Sequence, residues 1–337
     1  MRKKRNFWVI VVVLLIIVVG GTIFMYNKTV NHPIKSNEET ITINVKEGEG
    51  FYSLLNDLKS QNLIKNEFFI KMYLKLNKIT PNVTEGTYKV SSDTDLQNLI
   101  STLESVNTTK VVIPEGYTVS QIGDVLEKSG LFSKEEFIKA TKNYKLPSYI
   151  KTNKEVRDPL EGFLFPDTYA FKEGITPDEV IKTMLTQFET VLKEVEKETG
   201  VEIPEDKIYE TVTKASVIEK EARVDEDRPI ISSVIDNRLQ KGMNLQIDAT
   251  VIYALGKHVD VVSLNDLKVD SPYNTYKHKG LPVGPICNPG KPSLIAALKP
   301  AKTDYLFYLL VPGTNKHDFT NSGNEFNKLR EKYGYNK

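Results

Sequence analysis

Cysteine is almost missing from this 337-residue chain, with Cys287 the only one. No intramolecular disulfide can form, so any exported part must be held by its apolar cores alone. Histidine is scarce too. His32, His258, His278 and His317 show no H-E-x-x-H or other close ligand spacing, which argues against a zinc hydrolase. An excess of one charge is also lacking, since 45 Lys and Arg stand against 44 Asp and Glu. No overall field exists that would gather nucleic acid or repel it, so charge leaves the partner open, and no nucleic-acid partner is assigned. Cys287 itself sits in "GPICNPG". A thiol nucleophile there would need a histidine nearby in space, and a buried structural cysteine is the preferred reading.

What is present begins with a long apolar run. After Met-Arg-Lys-Lys-Arg comes "NFWVIVVVLLIIVVGGTIFMYN", without a charge from Asn6 to Asn27. The twenty residues 7–26 would span roughly 30 Å as a helix, the hydrocarbon thickness of a bilayer. A cleaved signal peptide usually has a shorter apolar region and a better small-x-small site, so a retained anchor is expected. Four basic residues ahead of it make residues 1–6 a cytoplasmic tail, with everything after about residue 30 outside the membrane. Residues 27–39 then read as a polar linker.

Folding is expected from Thr40 onward. "TITINV" alternates like a strand, "GEG" breaks it, and Phe51, Leu54, Leu55 and Leu58 fall at helical spacing. "NEFFIKMYLKLNK" gives a second helix and "EGTYKV" a returning strand, so 40–106 reads as a βααβ module. At a constant offset of 68 the pattern recurs, with Glu47-Gly48 on Glu115-Gly116, Phe51 on Val119, Leu54 on Ile122, Leu58 on Leu126, Leu63 on Leu131 and Ile70-Lys71 on Ile138-Lys139. Residues 107–150 are therefore expected as a shorter strand, turn and helix echo connecting to a carboxyl-terminal domain over 151–337. In that domain an amphipathic helix covers about 177–199. Pro229 starts a helix that Gly242 follows, Asp248 and Gly256 bound a short one, and "YLFYLLV" fits a buried strand. Helices and strands segregate, which makes the class α+β.

"ASVIEKEARVDEDRP" (215–229) holds two glutamates one residue apart. With Ile218 at zero on a helical wheel, Ala215 and Ala222 share its buried stripe, and Glu219 lies near 100° with Arg223 four residues on, the order of a surface ion pair. Glu221 lies near −60° between Ile218 and Val217, with Val224 and Asp225 three and four residues on. Apolar neighbours and a second carboxylate would both raise its pKa, as a general acid requires. A helix-edge charge reaching solvent fits the same spacing, and both readings stay open.

Five separated stretches together carry a resemblance: "LEGFLFPDTY", "ASVIEKEA", "VIDNRLQKGMNLQIDATVIYALG", "SPYNTYKHKGLPVGPICNPG" and "AALKPAKTDYLFY". They resemble the endolytic murein transglycosylases, the YceG-like or MltG family, over essentially the whole chain. The βααβ module likewise resembles, in shape and element order, a LysM module that grips N-acetylglucosamine units, and Tyr52, Tyr73 and Tyr88 are either sugar-stacking faces or core. The resemblance implies a membrane-anchored peptidoglycan lyase that acts on nascent glycan strands, beside penicillin-binding proteins. It assigns catalysis to the second glutamate of "IEKE", Glu221, without a metal or cofactor. One carboxyl group suffices when the sugar's own C6 hydroxyl attacks, leaving a 1,6-anhydroMurNAc end. Where relatives carry "TDPT" or "SDAT" this chain has "IDAT", so no hydroxyl is expected to act at 247. Glu161, Asp167, Gln246, Asp248, Asn274 and Tyr276 are the candidate sugar contacts, and each also has a structural reading: a helix cap for Asp248, turn residues for Asn274 and Asp167. A non-catalytic wall-binding scaffold and a hydrolytic muramidase are the rival functions.

Overall fold

The computed structural model describes every residue except Met1, Glu47, Val106, Asn107, His258, Asp260, Asn336 and Lys337, and omits the side chains of residues 2–7 and 9. Glu47 of the repeat and His258 therefore lie outside the described residues. The chain divides into two units, Met1–Thr108 and Thr109–Lys337.

The first unit opens with α1 (Arg2–Asn31), whose segment Ile10–Asn31 is long and apolar enough to cross a membrane. From Val12 to Met25 no residue of this helix is covered by protein. The expected linker starts later than 27, because α1 continues to Asn31. Thr29 and Ile34 are buried at 4% and 3% exposure, and Ile34 bridges to Ile64. Apolar side chains on both sides of Pro33 find cover in the module, which is why this stretch packs instead of hanging free.

Next come β1 (Thr40–Val45), α2 (Phe51–Ser60), α3 (Glu67–Asn77), β2 (Gly86–Ser91) and α4 (Leu96–Glu104). Strands β1 and β2 pair antiparallel from Thr40↔Ser91 to Val45↔Gly86. Alternation drives Ile41, Ile43 and Val45 inward, onto Phe51, Leu54, Leu55 and Leu58 of α2 and Ile70 and Leu74 of α3. Helix α4, capped by Asp95 on the Asn98 amide, adds Leu96, Leu99 and Leu103 to that core. Tyr88 is core, its hydroxyl donating to the Thr84 carbonyl at 2.6 Å, Tyr73 is half-buried, and Tyr52 is exposed.

The second unit contains β3 (Thr108–Val112), α5 (Val119–Lys128), α6 (Lys134–Asn143), β4 (Thr168–Lys172), α7 (Pro177–Thr199), α8 (Glu205–Glu221), α9 (Arg228–Gln240), α10 (Asp248–Leu255), α11 (Lys291–Leu298), β5 (Phe307–Leu310), β6 (His317–Thr320) and α12 (Gly323–Tyr333). The sheets are two-stranded, β1 with β2, β3 with β4 and β5 with β6, and the class is α+β. The repeat appears in the backbone. β3 and α5 start at the same offset from β1 and α2, and Gly48 and Gly116 hold matching left-handed turns at φ 71° and 74°. The second copy is not a separate connection, however. Val111, Ile113, Val119, Ile122, Leu126 and Phe137 belong to one core with α7 and α8, and β3 pairs with β4. A capping box of Thr176 and Glu179 starts α7 and Gly200 ends it.

Helix α8 forms the axis of this unit. Val212, Ala215, Ser216, Val217 and Ile218 are all buried, packed against α11 and α9. The β5 strand differs from the sequence expectation in being half-buried along its length, although both α9 and α12 pack on it.

Candidate functional site

Helix α8 ends at Glu221, with Ala222 already extended at φ −76° and ψ 132°. A helical wheel therefore stops at Glu221, and two expected neighbours fall away. Arg223 is not stacked four residues after Glu219, and Asp225 does not face Glu221. Asp225 instead accepts from the Arg228 Nε at 3.0 Å. What raises Glu221 lies across the fold. Its carboxyl is enclosed although the residue keeps part of its surface open, and that burial pushes its pKa up to about 7, with the Asp248 charge adding to the rise. The Tyr308 hydroxyl donates to Glu221 Oε2 at 2.8 Å, and this bond and Arg223 pull in the other direction.

Local backbone bonds explain how these groups meet. The segment before α10 runs beside residues 274–276: the Gln246 amide donates to the Thr275 carbonyl at 3.2 Å, the Ile247 amide to Thr275 Oγ1 at 3.0 Å, and Asn244 Nδ2 to the Tyr276 carbonyl at 2.6 Å. Gln246 holds a left-handed φ of 53°, a conformation non-glycine residues seldom adopt outside functional or tightly held places. Asp248 and Tyr276 are thereby set side by side, with the Tyr276 hydroxyl donating to Asp248 Oδ1 at 2.5 Å. Arg238 of α9 ties this pair to β5. Its Nη1 donates to the Leu245 carbonyl at 2.8 Å, its Nε to the Leu306 carbonyl at 2.6 Å, and its guanidinium lies 5.2 Å from the Phe307 ring centroid. The result is a half-open surface site of Glu221, Tyr308, Asp248 and Tyr276.

Glu219, one turn face away, is not the exposed ion pair that its spacing implies. Its side chain is 7% exposed. Oε2 accepts from Ser293 Oγ at 2.7 Å, the Gly290 amide at 3.1 Å and Arg228 Nη1 at 3.4 Å. A Cβ at Gly290 would stand 2.0 Å from Glu115 Oε1, so any larger residue there would push that carboxylate aside. The Glu115 carboxyl is itself raised, by burial first and by Glu219 second.

The remaining expected contacts divide cleanly. Glu161 is 2% exposed and accepts from the Val119 amide at 3.0 Å, Tyr253 Oη at 3.1 Å and Asn288 Nδ2 at 3.1 Å. Burial and then Asp158 push its pKa up to about 8, and it is sealed inside the core away from Glu221. Asp167 is exposed but accepts from Gln187 Nε2 at 2.7 Å beside β4, with no bond to the site. Asn274 is fully buried and holds its own turn, donating to the carbonyls of Leu267 at 2.9 Å and Val269 at 2.8 Å. Asp248 does not cap α10, because Ile247 is the cap residue and the carboxylate is turned to Tyr276. Cys287 is completely buried, its thiol bonded to the Ser216 carbonyl at 3.3 Å and held well above its ordinary pKa by burial, consistent with the structural reading. Tyr308 and Arg238 lie inside two of the five stretches, and spacing alone gives neither of them a role. The available signal was a tyrosine within an otherwise apolar strand, whose hydroxyl needs a partner.

Comparison with known proteins agrees with this frame. Residues 43–332 match the model of the YceG-like family. A Bacillus subtilis protein named endolytic murein transglycosylase is 36% identical over 333 residues, covering 93% of this chain and 90% of that protein. A Streptococcus pneumoniae protein of the same name is 28% identical, over 82% of this chain and 55% of its own length. A crystal structure of a YceG-like protein from Listeria monocytogenes superposes with a TM-score of 0.58 at 34% identity, over 87% of this chain and all of that one. A match over this span, with α8 and its flanking loops inside it, means that this chain belongs to the YceG-like family.

Proposed function

We propose that this chain is a membrane-anchored peptidoglycan lytic transglycosylase that cuts the MurNAc-GlcNAc bond within glycan strands, with Glu221 as its acid and base. The observation that carries the reading is the Glu221 carboxyl, with a pKa near 7 on a half-open surface and a hydroxyl donor 2.8 Å away. A carboxyl with that pKa is half protonated at neutral pH, so it can give a proton to the glycosidic oxygen and then accept one from the C6 hydroxyl. Ring closure by that hydroxyl is intramolecular, so orientation replaces a second catalytic carboxylate. Tyr308 fixes the carboxyl's rotamer, and Asp248 keeps its proton in place. The negative field of Asp248 also favours the positive charge that develops on the sugar ring. An open site, unlike an enclosed pocket, admits a polymer at an internal bond. The names of the Bacillus subtilis and Streptococcus pneumoniae relatives support the same activity.

α1 is the anchor in this reading, with the basic residues 2–5 on the cytoplasmic side and everything after about residue 30 outside. The βααβ part of the first unit is a LysM-like glycan grip, supported by its element order and by the exposed Tyr52 ring, and penicillin-binding proteins are the expected neighbours at the wall. The full chain in detergent, incubated with isolated sacculi, tests the activity. Fragments should carry anhydro ends, one water lighter than reducing ends in mass spectrometry. Reducing ends would make the enzyme a hydrolase with Asp248 activating water. No release at all would make the chain a scaffold.

A further inference from the structure

Helix α3 leaves part of its apolar surface outside the first unit's core. Phe68, Met72 and Leu76 recur every fourth residue and so line one side of the helix. Phe68 is 69% exposed, Leu76 67%, and Met72 half-buried. Lys71 and Lys75 flank the stripe and Lys78 follows its end, all three exposed, with Lys71 also paired to Glu67. An apolar stripe open at Phe68 and Leu76, half-covered at Met72 and edged with lysine, has the composition of a helix face lying in a membrane interface.

The anchor supplies the reason that lipid covers it. α1 is bare from Val12 to Met25, and Tyr26 is the first of its residues described as packing on the module, its ring 6.0 Å from that of Phe69 and edge-on to it. Tyr26 is also the last residue of the uncharged apolar run, so the amino end of α3 is fixed at the level where hydrocarbon gives way to headgroups. Phe68 neighbours Phe69 edge-on at 5.5 Å and points out at that depth. Aromatic side chains concentrate at this boundary, and lysines beside them meet anionic headgroups.

We infer that α3 lies on the bilayer surface where α1 emerges, with Phe68, Met72 and Leu76 in the headgroup and acyl boundary and Lys71, Lys75 and Lys78 against anionic lipid headgroups. This rests on α1 spanning the membrane. Two contacts, the span and the stripe, then hold the first unit in a fixed orientation to the bilayer. A sugar would find no hydrogen-bonding group on the Phe68, Met72 and Leu76 side chains.

Site-directed spin labelling of the full chain in vesicles of phosphatidylethanolamine and phosphatidylglycerol tests it. Cys287 is completely buried and does not compete for the label. Nitroxides are placed one at a time by Ile17→Cys in mid-span, Phe68→Cys, Leu76→Cys, and Lys197→Cys as an exposed water reference. Oxygen access relative to access of a water-soluble nickel complex should be highest at 17 and lowest at 197. At 68 and 76 it should be several-fold above 197, falling when neutral lipid replaces phosphatidylglycerol. Water-like values at 68 and 76 with 17 still deep would overturn the inference and leave the anchor intact. Shielding from both reagents would also overturn it, since a second copy of the chain would then cover the stripe. Water-like values at 17 as well would remove the spanning reading and this inference with it.

Discussion

Glu219 and Glu221 stand two residues apart at the end of α8 and sit in opposite surroundings. Glu219 is enclosed by three donors, from Gly290, Ser293 and Arg228, and joins α8 to the start of α11. Glu221 has one described donor, Tyr308, and a like charge nearby, so its proton is held by burial and by Asp248. A carboxylate saturated with donors is fixed in place, which makes it structural. A carboxyl poorly served by donors holds its proton to higher pH, which is the property the proposed acid needs. Sequence spacing leaves Glu221 open between an acid and a helix-edge charge, and it misplaces the neighbours of both glutamates, because the helix stops before Arg223 and Asp225 can act.

The largest effect expected follows from exchanging the proton donor. Glu221→Gln keeps size and one acceptor but has no proton to give, and cleavage of sacculi should fall by about 10²- to 10⁴-fold while thermal unfolding is nearly unchanged. Glu219→Gln should show the reverse. Replacing a buried, charge-assisted acceptor weakens the bonds from Ser293 and Arg228, and the unfolding free energy in urea should drop by about 1–3 kcal/mol with activity kept at low temperature. Equal losses of activity in both variants would erase the distinction.

Two substitutions around Glu221 should move its titration in opposite directions. Asp248→Asn removes a like charge, so the alkaline limb of the pH-rate profile should shift to lower pH. Tyr308→Phe removes the donor that favours the carboxylate, so the limb should shift to higher pH with a smaller loss of rate. The sign for stability is the same for Glu221 and Glu161. Each has a folded pKa above its ordinary 4.5, about 7 and about 8, so the folded state binds the proton more tightly. Their contribution is fully present below about pH 4.5 and is lost as pH rises through 7 and 8. Glu161→Gln, measured by unfolding at several pH values, should flatten that decline while leaving the catalytic pH profile in place, the smallest effect of the set.

Sequence made the repeated unit legible to the residue, because Gly48 and Gly116 need a left-handed turn and the apolar spacing after each is helical. It could not reveal that the second copy opens into the larger core, since strand pairing of β3 with β4 depends on contacts distant along the chain. The same limit applies at the site. Glu221 was visible from its neighbours on one helix, whereas Tyr308 reaches it from β5, 87 residues later. Glu161, Asp167 and Asn274 have the residue types of sugar contacts, and only burial and donors set them apart from Asp248 and Tyr276.

The proton on Glu221 can be observed directly. With glutamate carboxyls labelled with ¹³C, the difference between spectra of the unsubstituted chain and of Glu221→Gln isolates this one resonance across pH. A midpoint near 7, moving down in Asp248→Asn and up in Tyr308→Phe, is the predicted result. A midpoint at the ordinary 4.5, unmoved by either substitution, would contradict the assignment of Glu221 as the acid.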